Sequence, residues 1–368
     1  MSELKVEVVE IRDVVNHPNA DRLDIAMISG WACIVGRGQF RAGDHAVYIP
    51  IDALLSEATE SIIFADSKIK LHNHRVRTIK LRGQISQGLL VDFKKFPDLA
   101  DLPVGTDVAY ELGITKFEPP EPEFQSFGAP GQPGKKRKQN PLFHKYTDIS
   151  NIKHYHDTLR EGEPVVMTCK IHGTSARFGC LPTATDTIWK KIKKFLHLLP
   201  EFETVYGSRN VQLQNRIVKG HTYYKKDVYY ETLIKYSLES KLCPHEVVYG
   251  EIYGGGIQKN YTYDCGPEER RFVVYDVEDK GRWLNHDELV LWCSHRGLPM
   301  VPILYEGPFS QEALDAATNG PSVLAPSQKV REGCVVRPVE ERMGTCGRVV
   351  LKSVSPDYLL DLDNSDFH

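Results

Sequence analysis

The chain has 368 residues, 41% of them apolar and 26% charged, with a formal net charge of -3. That length accommodates two or three domains with a sizeable core. The near balance of charge excludes a global field that attracts a polyanion, so any nucleic-acid surface must be local. The eight cysteines (Cys33, Cys169, Cys180, Cys243, Cys265, Cys293, Cys334 and Cys346) include no C-x-x-C pair. Zinc-finger spacing is therefore absent, and scattered thiols suit a reducing cytoplasmic or nuclear compartment. The opening MSELKVEVVEIRD alternates charged and apolar residues and lacks the apolar run of a signal peptide or a membrane span.

In chain order, Leu4 to about Leu112 reads as a β-rich domain. LKVEVVEI and the stretch around HAVYIP alternate with period two, and NHPNAD and RAGD break the pattern as turns. Many short strands in so few residues predict a small barrel. Within it, KIKLHNHRVRTIKLR (Lys68 to Arg82) holds six Lys or Arg and no acid, which makes Arg75, Arg77, Lys80 and Arg82 candidate phosphate contacts or a solvated strand-loop-strand face. Glu118 to Asn140 repeats proline and glycine without apolar periodicity and reads as a linker or exposed loop. Its KKRK run (Lys135, Lys136, Arg137, Lys138) is a solvated or phosphate-facing cluster first and a nuclear address second.

From Phe143 onward, apolar strands such as EPVVMTC, HEVVYGEIYG, RFVVYDV and GCVVRP alternate with helix-like pieces such as HDELVLWCSHRG. IWKKIKKFLHLLPEF places Ile188, Trp189, Ile192, Phe195, Leu196 and Leu199 on one helical face. A surface helix covering its own core is the favoured reading, ahead of one lying on a membrane or an RNA backbone. The expected division is 1–117, 118–140 and 141–368, in an α+β chain with a barrel ahead of a mixed α/β domain.

Four segments carry candidate chemistry: KIHGTSARFG from Lys170, VVYGEIYGGG from Val247, REGCVVRP from Arg331 and RVVLKSVS from Arg348. Together they supply a lysine, two glutamates and a second lysine, each beside a strand, with glycines that admit close backbone approach. A lysine amine attacking phosphorus must be neutral, whereas free lysine titrates near ~10.4, so burial or a nearby cation must lower its pKa. A divalent metal supplies that charge and balances the transferring phosphate. Glu251 and Glu332 are hard oxygen ligands for it. Lys352 and Arg337 are cations for a triphosphate, and Phe272 is an aromatic that either stacks on a base or fills the core.

In this order the segments resemble the signature motifs of covalent nucleotidyltransferases, the polynucleotide ligases and GTP-dependent capping enzymes, over about Lys145 to Ser355. K-x-H-G-T at Lys170 is similar to RNA ligases of the editing and repair type; DNA ligases and capping enzymes usually carry K-x-D-G. The resemblance implies an ATP-grasp-like ligase domain in which Lys170 forms a lysyl-adenylate from ATP with Mn2+ or Mg2+. It implies a catalytic set of Lys170, Glu251, Glu332 and Lys352, with the nucleotide held by Lys170, Gly173, Phe272, Glu332, Arg337 and Lys352. YGSRN (Tyr206 to Asn210) resembles a Ser-Arg motif that contacts nucleic acid and assigns that role to Arg209. Two departures stand out. The usual final K-x-K has Val350 at its first lysine, with Arg348 as a substitute, and Cys169 replaces the acid that often precedes the nucleophile.

HPNADRLDIAMISG and IKLRGQISQGLLV resemble the oligonucleotide-binding barrels attached to some aminoacyl-tRNA synthetases, implying an OB-fold that binds nucleic acid. A barrel ahead of the catalytic domain matches an RNA ligase branch that seals 3'-OH and 5'-phosphate RNA ends, often with manganese. Capping enzymes and DNA ligases place theirs after the final lysine, and here only Ser353 to His368 follow Lys352. The resemblance implies an RNA substrate, a nicked duplex or RNA ends; the chain is expected to be a monomer without a membrane partner and, lacking a signal peptide, intracellular. The alternatives are a GTP-using capping-type enzyme, a noncatalytic RNA-binding protein with a decayed ligase domain, and a tRNA-binding module.

Overall fold

The computed structural model describes residues 4–67, 69–117, 139–155, 157–184, 192, 195–196, 198–213, 227–258 and 261–361. Lys68, nearly all of the 118–140 linker with its KKRK run, and Ile188 and Trp189 of the amphipathic segment lie outside them. The chain divides into two compact units that interleave in sequence: 1–121 with 149–158 and 354–368, and 122–148 with 159–353.

The first unit is built from short strands: β1 (Glu7–Glu10), β2 (Asp13–Asn16), β3 (Leu23–Ile28), β4 (Trp31–Gly36), β5 (His45–Ile49), β6 (Ala53–Leu54), β7 (Thr78–Leu81), β8 (Gln84–Gln87), β9 (Leu89–Val91), β10 (Thr115–Lys116) and β11 (Ser150–Asn151). They pair antiparallel as β1-β5-β9, β2-β3-β4, β7-β8 and β10-β6. HAVYI differs from its period-two reading: Ala46, Val47, Tyr48 and Ile49 are all buried. As the central strand, β5 feeds two clusters. Val47 and Ile49 join Val6, Val8, Val76 and Val91, and Ala46 and Tyr48 join Ile11, Ala26 and Trp31.

The basic stretch does not present one charged face. Arg75 is buried, ion-paired to Asp52 at 2.6 Å and stacked over Phe117 at 3.7 Å. It braces the unit and has no face for RNA, which corrects the sequence expectation. Arg77 is half-buried, while Lys80 and Arg82 are exposed on the β7–β8 hairpin. His17 reaches the Leu81 carbonyl with its Nε2 at 3.1 Å, and the Asn19 side chain donates to the Arg82 carbonyl at 3.0 Å. The two segments that resemble synthetase-appended barrels thus meet at this turn.

The second unit holds β12 (Pro164–Lys170), β13 (Thr174–Pro182), β14 (Phe202–Ser208), β15 (Gln212–Leu213), β16 (Glu246–Gly254), β17 (Arg270–Asp279), β18 (Arg282–Trp283), β19 (Ile303–Pro308), β20 (Gly333–Pro338), β21 (Met343–Gly344), β22 (Gly347–Arg348) and β23 (Leu351–Val354). The larger sheet runs β15-β14-β13-β16-β17-β18, and a second sheet contains β23-β20-β12-β19 in that order. One face of the larger sheet packs Ala176, Phe178, Val248, Ile252, Phe272 and Val274 against helices Val228–Lys235 and His286–Arg296. HDELVLWCSHR forms the latter helix, and Glu288 accepts the Asn285 backbone N–H at its start. Of the described apolar residues on the predicted helical face, Ile192, Phe195 and Leu196 are exposed and Leu199 is half-buried, so the first three do not cover the core as the sequence reading favoured.

The two sheets are joined by a buried ion cluster. Asp276 of β17, fully buried, accepts from the Tyr146 hydroxyl at 2.8 Å and pairs with Arg337 at 3.3 Å and Arg348 at 2.7 Å. Glu341 pairs with both arginines, at 3.1 and 2.7 Å, and Arg348 stacks on Trp283 at 4.0 Å. Removing one partner of such a cluster strands the others' charge. Asp276→Ala is therefore expected to destabilise the chain by about 3–5 kcal/mol, measured by denaturant unfolding. A loss no larger than that of a surface substitution would show that the cluster does not hold the sheets.

Candidate active site

The site forms where the chain passes from one sheet to the other. β12 ends at Lys170, residues Ile171–Gly173 turn, and β13 begins at Thr174. A Cβ on Gly173 would lie 2.4 Å from the Ile252 carbonyl oxygen and 2.9 Å from Glu251 Cγ, so only glycine lets the turn press on β16. On β16, Glu251 stands opposite Ser175 of β13 and Val273 of β17. Lys170 pairs in register with Gly333 at the start of β20, which delivers Glu332 to it. The Lys170 Nζ donates to Glu332 Oε1. Glu332 is buried, and its other oxygen has no hydrogen-bond partner among the described residues.

Burial pushes the Glu251 carboxyl up to about 8, with Lys170 opposing and Glu332 adding to the rise. Beside it the Ser175 and Tyr275 hydroxyls lie 2.8 Å apart. Tyr275 has no partner in the β16–β17 register, because Tyr249 pairs with Asp276 and Gly250 with Val274; two residues beyond Val273, it shares the site face by strand alternation. Arg209 contacts Asp148 and adds a positive field at Glu251. No group of three or more His, Cys, Asp or Glu among the described residues forms a metal cage. Two carboxylates, one with a spare buried oxygen, instead suit a cation that keeps waters or substrate phosphates in its shell.

Of the residues named from sequence, the fold brings together Lys170, Gly173, Glu251 and Glu332, with Arg209 nearby. Lys352 lies on β23, half-buried. Its neighbour Ser353 accepts from Thr318 of helix Gln311–Thr318, which also covers Cys334, the register partner of Cys169. By strand alternation Lys352 therefore shares the opposite sheet face with Lys170. Phe272 is not at the site: it is fully buried in the helix-covered core, edge-on to Phe178 and Tyr236. Strand alternation gives the site face of β17 to Val273. Arg337 is also misplaced as a phosphate ligand. It pairs with Val166, four residues from Lys170 along β12, or about 13 Å, and its charge is consumed by Asp276 and Glu341. Arg348, the substitute for the missing lysine, is bound to the same two acids. Sequence reasoning missed Ser175 and Tyr275. Ser175 lies inside KIHGTS, and Tyr275 lies inside RFVVYDV on the strand face opposite Phe272 and Val274, so period-two alternation could have found it.

A lysine and two carboxyls thus meet where two antiparallel sheets join, within a nucleotidyltransferase-type domain. The RNA ligase family profile matches residues 163–354, more than half of the chain, and the protein belongs to the RNA ligase family. An OB-fold domain profile matches residues 5–93. The chain is thus an OB-fold domain followed by a mixed α/β nucleotidyltransferase domain. It is similar to Naegleria gruberi RNA ligase with PPi at TM-score 0.73 and 23% identity, covering 99% of this chain and 100% of that one. A mutant of that ligase with ATP and Mn matches at 0.72 and 23%, covering 98% and 99%, and one with AMP and Mn at 0.71 and 23%, covering 97% and 98%. No curated protein matches the sequence.

The raised Glu251 makes a signed prediction. In the unliganded chain its folded pKa exceeds the unfolded one, so its contribution to stability is complete below about 4.5 and is lost as pH rises towards about 8. Glu251→Gln carries no such term. Denaturant unfolding across that window is expected to show the variant gaining on wild type as pH rises, with the gap level above it. A pH-independent difference would mean that the carboxyl ionises freely.

Proposed function

We propose that the chain is an ATP-dependent RNA ligase that joins 3'-OH and 5'-phosphate RNA ends in RNA repair. The observation that carries this reading is the contact of Lys170 with Glu332 directly beside Glu251. The ATP, AMP, PPi and Mn of the Naegleria gruberi ligase structures support the choice of nucleotide and ion. Lys170 Nζ attacks the α-phosphorus of ATP, a P–N bond forms, and the bond to the pyrophosphate oxygen breaks. AMP then passes to the RNA 5'-phosphate, and the 3'-hydroxyl attacks that phosphorus and expels AMP. Glu332 orients the amine, the Gly173 turn fixes its backbone, and Lys352 faces the nucleotide as a phosphate cation. A divalent metal held by Glu251 and Glu332 would draw the carboxylate charge away from Lys170, favour the neutral amine and balance the transferring phosphate. Most acceleration in such reactions comes from positioning and charge neutralisation.

With α-labelled ATP and Mn2+ or Mg2+, wild type is expected to take up label that survives denaturing electrophoresis. Lys170→Ala and Lys170→Arg should take up none, because guanidinium stays protonated. Label from GTP in place of ATP would favour a capping-type enzyme, and label on Lys170→Ala would refute the nucleophile. Metal titration of Glu251→Gln and Glu332→Gln checks the ion: unchanged metal dependence in both would remove their assignment.

The OB-fold domain engages RNA, with Lys80 and Arg82 on the exposed β7–β8 hairpin as phosphate ligands and Arg77 at its half-buried edge. Neutralising Lys80 and Arg82 is expected to weaken RNA binding and to flatten its log-salt dependence by about 0.7 to 0.9 for each phosphate no longer neutralised. Arg75→Ala should instead lower stability through loss of the buried side chain that packs on Phe117 and pairs with Asp52. An unchanged salt slope in the hairpin variant would sink the RNA role of this hairpin.

A further inference from the structure

The residues between Lys170 and Thr174 belong to no strand or helix, so side chains must set the geometry of the turn that carries the nucleophile. Three such interactions arrive from one loop, the segment that follows β16. The Tyr263 hydroxyl accepts the His172 backbone N–H at 2.7 Å. The Gln258 side-chain amide donates to the Gly173 carbonyl at 2.9 Å. The Tyr261 ring meets the His172 imidazole edge-on, with centroids 5.5 Å apart.

The loop is itself pinned. A Cβ on Gly255 would fall 2.0 Å from the Gly266 carbonyl oxygen, so the two ends of the loop touch. Tyr253 and Tyr263 pack edge-on at 5.1 Å, and Ser327 donates to Asp264 from the far side. Tyr263 and Asp264 both hold left-handed backbone, φ 53° and 55°, a conformation that persists in non-glycine residues only where the surroundings over-determine it. Tyr263 is 2% exposed. A buried hydroxyl needs a hydrogen-bond partner, and here the partner is the backbone of the nucleophile's turn.

We propose that Gln258, Tyr261 and Tyr263 form a clamp that positions the Lys170 amine for attack on the α-phosphorus. This rests on the ligase reading. The three are positioning residues: their interactions fix groups of His172 and Gly173, two and three residues beyond the nucleophile. Attack at phosphorus tolerates little misalignment, so loosening the turn slows formation of lysyl-AMP. Sealing of an RNA strand that already carries a 5'-adenylate does not use the amine as nucleophile and is spared.

The test uses the full chain with Tyr263→Phe, Gln258→Ala and the double variant, which remove polar atoms without adding bulk. Lysyl-AMP formation from labelled ATP is expected to slow about 3- to 10-fold in each single variant, the scale of one missing hydrogen bond, and further in the double. The ATP concentration at half-maximal rate and the sealing of pre-adenylated RNA should stay near wild type. In the ligand-free protein, the His172 amide should exchange hydrogen faster in Tyr263→Phe. An unchanged lysyl-AMP rate in both single variants, or an equal loss in both reactions, overturns the clamp. If wild type forms no lysyl-AMP, the ligase reading fails, and amide exchange decides alone: unchanged protection of His172 in Tyr263→Phe refutes the clamp.

Discussion

The site depends on two sheets held in one arrangement, and what holds them is the buried cluster of Asp276, Glu341, Arg337 and Arg348. β17 contributes the central acid, and β20 and β22 contribute the arginines. Buried charges of this kind are a weak source of net stability but a strong source of geometry, since any sliding of one sheet leaves charge unpaired in a dry interior. Its consequence is felt at the other end of β20, where Glu332 must meet Lys170. Tyr146 extends the cluster by packing against Tyr249, Tyr275 and Trp283 while its hydroxyl binds Asp276.

At the reaction end the electrostatics run the other way. Two carboxyls lie beside one ammonium, and burial holds one of them, Glu251, in its neutral form up to about pH 8. Burial with Glu332 nearby raises Glu251, and one Glu332 oxygen is left without a hydrogen-bond donor among the described residues. Structural parts of proteins avoid such arrangements. A cation would favour the ionised form of Glu251 and use the spare Glu332 oxygen, and the same cation would loosen the hold of Glu332 on the lysine. Stability given up in the empty site is thereby tied to binding in the filled one.

The OB-fold domain obeys a different rule. Its strands are short, and β5 is buried on both faces, so the unit's core is two clusters sharing one strand. Charge on its surface is local, as the near-neutral chain requires. Of the basic residues in Lys70 to Arg82, one braces the interior through Asp52 and Phe117, and two remain exposed at the hairpin tip. A run of like charge in sequence therefore need not become a patch.

Much of this was legible without coordinates where the signal was local. K-x-H-G-T marked the nucleophile's turn because a lysine, a close-approach glycine and a strand start must be adjacent in the chain to work. Glu251 and Glu332 were legible because each lies in or just before an apolar strand, where a carboxylate can reach a site. Period two located β1, but it misjudged β5, since alternation reports one covered face and tertiary packing covered both. The failures among the candidate site residues were of placement and pairing. Phe272 and Arg337 have the right chemistry for a nucleotide, but strand parity sends one into the helical core and four residues of strand carry the other into an ion cluster. Arg75 has the right charge for RNA and is consumed by Asp52. Sequence alone determined which residue types were available, in which order and near which strands. Only the tertiary structure decided which charges were already paired, because pairing joins residues such as Asp276 and Arg348 that no local pattern relates.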